Sequence, residues 1–288
     1  MKVFLVPVAD RPECRVALDV SFALATRLGG DVVGAHLRPH RSTDKGYKPA
    51  RLTLFSSLSD QALEALSKKH SAAGVKSAAR LFAAAAQAHD FTPAKQARAA
   101  DVRVAIWHEL VGAPDKLMAI HGPVADLTVV SRPQTKGQGL AYSFVLEALM
   151  RSGKPVLVLP QKHNKVPGKH IVIGWNQSPE ISRTVSACMP LLAAADTVTV
   201  VACGPENRPG PRSGQLVHYL KHYGVSATTL RTKGRDEQQE MLDACKDVNA
   251  DLLVMGAYSR SRLRELVLGG MTEHMLWHAS MPVIMQHG

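Results

Sequence analysis

The stretch Met255–Thr272 contains the residues of this chain best suited to binding a phosphate group. An apolar run, Asp251–Met255, leads into Gly256, which can make a sharp turn that a residue with a Cβ would resist. The glycine pair Gly269–Gly270 then precedes a helical pattern over 271–278. This order predicts a helix N-terminus at the end of a strand. Such a place suits an anion, because the first N–H groups of a helix lack partners and the helix dipole favours negative charge there.

The spacing resembles the phosphate loop of the universal stress protein family, Gly-x2-Gly-x9-Gly-(Ser/Thr). Gly256 and Gly269 match its first and third positions, Ser259 stands at the second glycine, and Gly270 stands at the Ser/Thr without a hydroxyl. The apolar run 281–285 also resembles the family. The resemblance implies a nucleotide site in this half of the chain, with these candidate residues in the loop: Met255, Gly256, Ser259, Gly269, Gly270, Met271 and Thr272.

The same resemblance implies that Asn176 contacts adenine. In the family an Asp at the end of the first strand does so, and Asn176 is the matching residue of the second half. Asn offers both a donor and an acceptor where Asp offers only acceptors. Trp175 beside it is expected in the core, and narrowing of the pocket is the alternative.

Arginines at three positions of the loop add donors suited to phosphate oxygens. The alternative is that they point to water and keep the loop soluble. They are Arg260, Arg262 and Arg264.

The chain contains an internal repeat, which predicts two copies of one module. The predicted modules are 1–162 and 168–288, separated by a polar segment. Three pairs of segments recur in the same order: Lys2–Val8 with Lys169–Trp175, Ala125–Val130 with Ala250–Met255, and Ser152–Val158 with Ala279–Ile284.

Short apolar runs alternate with helical patterns in both copies, which predicts an α/β fold. Ligands of such sheets bind at the carboxyl ends of the strands, near the topological switch point. Helices are predicted over 13–28 and 179–194, the second capped by Ser178 with Pro179 at its first position. Strands are predicted over 3–8, 32–37, 102–107, 127–131 and 156–160, and over 171–175, 198–203, 225–231, 252–255 and 283–286.

We therefore expect two Rossmann-like modules, each a five-stranded parallel-type sheet with flanking helices. The family resemblance implies that they pack as an internal pseudo-dimer, in which strands 156–160 and 283–286 pair. This pairing would hide two sheet edges.

The first copy resembles the family's binding site less closely and is predicted to be degenerate. Ala9 holds the position of the Asp, with Asp10 one residue later, and Ser131 replaces the first glycine. Pro133 and Tyr142 work against an exposed loop backbone.

The net charge of +11 is concentrated in the first copy. Residues 1–165 contain 23 basic and 13 acidic residues, against 12 and 11 in residues 166–288. A basic insertion over 38–51 precedes an alanine-rich helix predicted within 59–91. A polyanionic partner is one interpretation, and a solvated basic surface is the other.

Other features favour a cytoplasmic protein that is not an enzyme. The four scattered cysteines indicate a reducing compartment, and the sequence shows neither a signal peptide nor a membrane span. The pairs His218–His222 and His274–His278 have helical spacing but are expected on helix surfaces or in the core rather than on a metal. With no nucleotide-hydrolysis motif and no nucleophile–base pair, any ATP hydrolysis would be slow and incidental.

The sequence thus predicts a tandem universal stress protein, a cytoplasmic stress-response factor. It would bind ATP or another adenine nucleotide, with Mg²⁺, in its C-terminal module, and the nucleotide would order loop 256–272 as a switch. A homodimer and an unidentified protein partner are compatible with this prediction, and a membrane partner is not expected. The alternatives are a nucleotide-independent interaction scaffold and a polyanion- or nucleic-acid-binding protein that uses the basic N-terminal half.

Overall fold

The computed structural model of the chain describes residues 1–9, 11–38, 72–98, 102–111, 113–134, 139–163, 165–257 and 270–287. These residues form two compact units, which divide between Ser152 and Gly153. In the ranges described, no helix is both long enough and apolar enough to cross a membrane.

The unit Lys2–Ser152 is a parallel sheet with helices between its strands. Its strand order is β3-β4-β2-β1-β5, and its paired strands are all parallel. The strands are β1 (Val3–Pro7), β2 (Asp31–Arg38), β3 (Thr92–Ala94), β4 (Val104–Val111) and β5 (Leu127–Ser131). The helices are α1 (Pro12–Leu28), α2 (Ala72–Ala88), α3 (Pro114–His121) and α4 (Gly139–Arg151), and a 3₁₀ turn spans Gly122–Val124.

The core of this unit includes an aromatic cluster on the sheet. The ring centroids of Phe22 and Phe91 lie 4.9 Å apart, and those of Phe22 and Phe82 lie 5.6 Å apart. A Cβ on Gly34 of β2 would lie 2.5 Å from the Phe82 ring. The absence of a side chain at Gly34 therefore allows α2 to pack closely on the sheet.

The unit Gly153–Gly288 has six strands in the order β6-β11-β10-β7-β8-β9. All neighbours are parallel except β6 and β11, which are antiparallel with Val283 opposite Val158. The strands are β6 (Val156–Leu159), β7 (His170–Gly174), β8 (Thr197–Cys203), β9 (Ala227–Thr232), β10 (Leu252–Ala257) and β11 (Val283–His287). The helices are α5 (Pro179–Ala187), α6 (Met189–Ala193), α7 (Ser213–Lys221), α8 (Glu237–Asp247) and α9 (Gly270–His278).

The predicted pairing of residues 156–160 with 283–286 is confirmed by the β6–β11 ladder. The strand β6 closes the first copy of the sequence repeat, yet it belongs to the second compact unit. The compact units therefore divide about ten residues before the predicted module boundary near 162.

An aspartate performs the same task in both copies of the repeat. The carboxylate of Asp126 accepts hydrogen bonds from the backbone N–H groups of Lys2 and Val3. The carboxylate of Asp251 accepts from Gly168, Lys169 and His170. Each aspartate therefore joins the start of one strand to the start of its neighbour, which explains the repeated Ala-Asp-Leu pattern.

Two predicted elements differ in the structure, and one further strand was not predicted. The helix predicted over 179–194 is divided into α5 and α6 at Cys188, because Pro190 lacks an N–H donor and its ring clashes with the preceding turn. The strand predicted to end at Trp107 continues to Val111, so the segment Trp107–Glu109 lies inside β4. The three-residue strand β3 was not predicted, since Pro93 at its centre is unusual in a strand.

The α2 helix falls within the predicted range 59–91. Most of the predicted basic insertion, from residue 39 onward, lies outside the described residues.

Replacing Asp251 with alanine should lower the free energy of unfolding by about 1–3 kcal/mol, because three backbone N–H groups lose their acceptor. Urea unfolding measures the change. The control is Asp247→Ala at an exposed position at the end of α8, which should stay within about 0.5 kcal/mol of wild type. Equal effects of the two substitutions would contradict this role for Asp251.

Candidate functional site

A cleft of about 390 Å³ opens at the carboxyl ends of β7, β8 and β10. The strand β7 lies between β10 and β8 in the sheet, so the strand order reverses at β7. The cleft therefore lies at the topological switch point, where parallel sheets of this kind bind their ligands. The volume falls within the range of about 300–1,000 Å³ found for small-molecule sites. The cleft is therefore the candidate binding site of this unit.

Six of the eight predicted site residues line this one cleft. Ser259 and Gly269 lie outside the described residues, as do the three loop arginines. The structure thus brings the end of β7 together with the end of β10 and the start of α9, and ligand binding by these residues stays a prediction. The six are Asn176, Met255, Gly256, Gly270, Met271 and Thr272.

The sharp turn predicted at Gly256 was wrong. The strand β10 continues through Ala257, so Gly256 is a strand residue and makes no turn. A Cβ at this position would lie 2.8 Å from the backbone nitrogen of Ile181 and 3.0 Å from Cβ of Glu180. Glycine is therefore needed because the first turn of α5 packs directly against the strand.

The α5 helix begins as predicted, with Ser178 as its N-cap and Pro179 at the first helical position. The Ser178 hydroxyl accepts a hydrogen bond from the backbone N–H of Ile181 at 3.5 Å. Asn176 supports this turn through its side-chain oxygen, which accepts from the backbone N–H of Ser178 at 3.1 Å. The oxygen keeps a second lone pair, so the expectation that Asn176 offers both a donor and an acceptor to a ligand stays a prediction.

Trp175 and Gln177, on either side of Asn176, hold the wall of the cleft. The Trp175 indole is 4% exposed, which confirms its expected place in the core, and its N–H donates to the Pro211 carbonyl at 2.8 Å. The Gln177 amide donates to the Gly210 carbonyl at 2.9 Å and accepts from the backbone N–H of Arg208 at 3.1 Å. These contacts position the segment 208–211 beside the cleft.

Two glycines that the sequence analysis missed bring the connections after β8 and β9 into contact beside the cleft. Gly204 lines the cleft after β8, and Gly234 follows β9; both have positive φ angles, 80° and 73°. A Cβ on Gly234 would lie 2.5 Å from the Gly204 Cα, so the two connections touch backbone to backbone. Their position one or two residues after a strand was the available signal.

Glu240 fixes the connection that follows β9. Its carboxylate accepts from the backbone N–H groups of Gly234 at 2.7 Å and Arg235 at 3.0 Å. The nearby Thr232 hydroxyl and these backbone N–H groups lower the pKa of Glu240 to about 2. The ionised carboxylate therefore holds Gly234 against Gly204.

The buried carboxylates that line the cleft are paired with arginines. The Glu206 side chain is 6% exposed and accepts from the Arg231 guanidinium at 2.6 Å and from both the backbone N–H and the hydroxyl of Ser213. Burial alone would raise the pKa of Glu206, but these hydrogen bonds outweigh burial and lower it. Glu180, 8% exposed, lies 3.4 Å from the Arg183 guanidinium.

Donors for an anion lie at the start of α9. The nine-residue helix α9 begins with Gly270, Met271 and Thr272, and all three line the cleft. The start of a helix favours a negatively charged group, because the helix dipole is positive there and the first backbone N–H groups of a helix have no acceptor within it. Arg208 also lines the cleft.

The equivalent place in the first unit is almost filled. The cavity at the ends of β1, β2 and β5 measures about 60 Å³ and is lined mainly by apolar side chains, with Ala9 at the position of the family's Asp. The Ser131 hydroxyl donates to the Glu13 carbonyl at 2.9 Å instead of facing an open loop. This volume lies far below that of small-molecule sites and supports the prediction of a degenerate site.

Both histidine pairs, His218–His222 and His274–His278, lie in the described part of the chain. The rings of His274 and His278 stack with centroids 4.3 Å apart, and burial, followed by the charge of His278, lowers the pKa of His274. His218 and His222 are exposed at the end of α7. Across the described ranges, no group of three or more His, Cys, Asp or Glu side chains could hold a metal ion.

Comparisons with known proteins agree with this architecture. Residues 189–287 match the sequence profile of the universal stress protein family. The chain is similar in structure to a universal stress protein from Archaeoglobus fulgidus DSM 4304, with a TM-score of 0.66, 13% identity, and coverage of 99% of this chain and 96% of that one. It is also similar to a functionally unknown protein from Pseudomonas aeruginosa PAO1, with a TM-score of 0.58, 12% identity, and coverage of 100% and 92%. No curated protein sequence matches the chain.

Replacing Gly256 with alanine should lower the free energy of unfolding by about 1–3 kcal/mol, because the new methyl group would press on the backbone of α5. The matched control is Gly214→Ala in α7, where the space is open and the helix gains up to about 1 kcal/mol. Urea unfolding of both variants measures the difference. A Gly256→Ala variant as stable as wild type would contradict the close packing of α5 on β10.

The Glu240 carboxylate should make stability depend on pH. Its pKa of about 2 in the folded protein lies below the unfolded value of about 4.3, so its stabilisation is complete above about pH 5 and is lost as the pH falls toward 2. Glu240→Gln should therefore be less stable than wild type at pH 7, and the difference in urea midpoint should shrink by pH 3. Asp247→Asn at the end of the same helix is the control. A difference that stays constant between these pH values would contradict the assignment.

Proposed function

We propose that the chain is a universal stress protein, a family whose sequence profile matches residues 189–287, and that its C-terminal module binds an adenine nucleotide in the cleft at the ends of β7, β8 and β10. ATP or another adenine nucleotide is the ligand that the family resemblance implies. One observation carries the proposal. Residues from three separate segments, 176, 255–256 and 270–272, meet in one cleft of suitable volume.

The lining of the cleft offers both polar donors and apolar surface, the two kinds of contact that a nucleotide needs. The first turn of α9 offers backbone donors to phosphate oxygens. Met241 and Leu253 provide an apolar part of the lining: their side chains occupy the space above Gly174, where a Cβ would lie 3.2 Å from the Met241 methyl group and 3.7 Å from Leu253. We propose that a flat base packs against these two apolar side chains.

Binding without catalysis is the activity that these side chains support. Glu206 and Glu180 are engaged with arginines, so neither is placed as an unpaired general base. Burial raises the pKa of the Cys203 thiol, which disfavours a reactive thiolate in the cleft. We therefore propose a stress-response factor that responds to nucleotide, with Mg²⁺ accompanying a bound triphosphate. The ordering of loop 256–272 by ligand stays a prediction, because residues 258–269 lie outside the described residues.

One nucleotide per chain is expected. The first module's cavity of about 60 Å³ is too small for a nucleotide, whereas the second module's cleft of about 390 Å³ is not. Isothermal titration calorimetry gives the stoichiometry directly.

The Met271→Asp variant tests the proposed phosphate contact at the start of α9. An aspartate in the first turn favours α9 through the helix dipole, but its charge would repel a phosphate from the same N–H groups. The matched control is Met271→Asn, which has nearly the same shape and no charge. Wild type and Met271→Asn should be stabilised by Mg²⁺-ATP, by about 2.7 kcal/mol at a hundredfold excess over Kd, and Met271→Asp should be stabilised much less.

Thermal unfolding with and without nucleotide measures these shifts. If no nucleotide shifts the unfolding midpoint of wild type, the proposal fails, and a nucleotide-independent scaffold becomes the better interpretation. If Met271→Asp responds as strongly as Met271→Asn, the phosphate does not lie at the start of α9.

A further inference from the structure

The segment that contains α7 and the edge strand β9 is strongly basic. Residues 207–235 contain six Lys and Arg residues and no Asp or Glu, although residues 166–288 as a whole contain 12 basic and 11 acidic residues. Half of the basic residues of the second half of the chain therefore lie in this one segment. A local excess of positive charge favours a polyanionic partner. The six are Arg208, Arg212, Lys221, Arg231, Lys233 and Arg235.

An open groove of about 710 Å³ lies between α7 and β9. Its lining consists of polar and charged side chains and one glycine, with Arg212 and His218 on the helix side and Thr229 and Arg231 on the strand side. Because β9 is the last strand in the sheet order, the groove lies at the margin of the module. The acidic side chain in the lining, Glu206, is 6% exposed and bonded to the Arg231 guanidinium, so its charge is compensated.

Two exposed tyrosines lie at the C-terminal end of α7. Tyr219 lies in the last turn of the helix and Tyr223 lies two residues beyond it, and they are 40% and 50% exposed. Their ring centroids are 5.2 Å apart, and the Tyr219 hydroxyl donates to the Tyr223 hydroxyl at 3.2 Å. The two rings therefore hold each other in place, so a ligand would not have to order them. Exposed aromatic rings can stack on nucleobases.

The tyrosines and the basic side chains belong to one exposed surface. Within residues 218–223 only Leu220 is buried, so His218, Lys221 and His222 are exposed beside the two rings. Helical spacing places Gly214, His218 and Lys221 along the same flank of α7, and the first two of these line the groove. A ligand that follows the groove and crosses the end of α7 therefore meets cations first and then aromatic rings.

We propose that the groove between α7 and β9, together with residues 218–223, binds single-stranded nucleic acid. The arginines and Lys221 contact phosphates, and the tyrosines stack on bases, which is the combination used by proteins that bind single strands. A duplex fits less well, because its bases are already stacked inside the helix. An acidic polypeptide matches the charges but has no bases to place on the rings. The proposal stands whether or not the cleft at the ends of β7, β8 and β10 binds a nucleotide.

The stacking contact is tested with a fluorescein-labelled oligothymidylate of about twelve nucleotides, whose binding is measured by fluorescence anisotropy. The double variant Tyr219→Ala/Tyr223→Ala should bind at least about fivefold more weakly than wild type, because the stacking surface is lost. The matched control is Tyr219→Phe/Tyr223→Phe, which keeps both rings and should bind like wild type. The thermal midpoint of each variant without ligand should match that of wild type, because both side chains are exposed.

The phosphate contact is tested by the salt dependence of the same titration. Lys221→Gln removes one cation and should reduce the slope of log Kd against log salt concentration by about 0.7, the value for one phosphate contact on a single strand. The control Lys246→Gln removes the same charge from the equivalent place in α8, where the lysine is also exposed in the last turn, and it should leave the slope unchanged.

The proposal is overturned if the tyrosine-to-alanine double variant binds as tightly as wild type, or if Lys221→Gln and Lys246→Gln have equal effects. It is also overturned if a duplex of the same length binds as tightly as the single strand, or if polyglutamate displaces the oligonucleotide at an equal concentration of charge. The same titration with oligouridylate distinguishes RNA from DNA as the source of the strand, and binding of either one that depends on the two tyrosines supports the proposal.

Discussion

The close contact between Gly256 of β10 and the first turn of α5 determines the shape of the cleft. The helix approaches until the position of a Cβ on Gly256 is only 2.8 Å from a backbone nitrogen of the helix. Ser178 and Asn176, which start α5, are thereby held beside the carboxyl end of β10. The end of β7, the start of α5 and the start of α9 can then line one small space.

The remaining walls of the cleft are held by close backbone packing and by side chains that bond to the backbone. The connections after β8 and β9 touch at Gly204 and Gly234, and the Glu240 carboxylate holds them there. On the other side Gln177 bonds the segment 208–210 through both ends of its amide. A cleft built in this way has preformed walls, so a ligand would not have to order them on binding. The polar groups that make these contacts are engaged with the protein itself and hold the walls in place.

Much of this fold could be predicted from the sequence, because buried parallel strands appear as short apolar runs and the repeat gave each run a counterpart. Ser178 and Pro179 marked the start of α5 correctly, since capping is a local effect. The end of that helix was predicted less well, because the effect of Pro190 was overlooked. The site residues were placed near one another by the strand–loop–helix order, which depends only on how parallel sheets are connected.

The structural roles of the individual site residues were harder to predict than their positions. A glycine after a strand suggests a turn, but the requirement at Gly256 comes from α5, whose approach only the folded chain reveals. Likewise, the hydrogen-bonding capacity of Asn176 could be known from its type, whereas the engagement of its oxygen by Ser178 depends on the local turn. Gly204 and Gly234 were missed because their partners are connections far apart in the sequence.

Hydrogen exchange measured with and without a saturating adenine nucleotide would test the central claim, that the second module holds the binding site, most directly. The account predicts slower exchange in peptides that cover Asn176–Ser178, Gly204 and Gly270–Thr272, which line the cleft, and no change around Pro7–Cys14 in the first module. Protection confined to the first module, or no protection anywhere at a nucleotide concentration that saturates binding, would contradict the account.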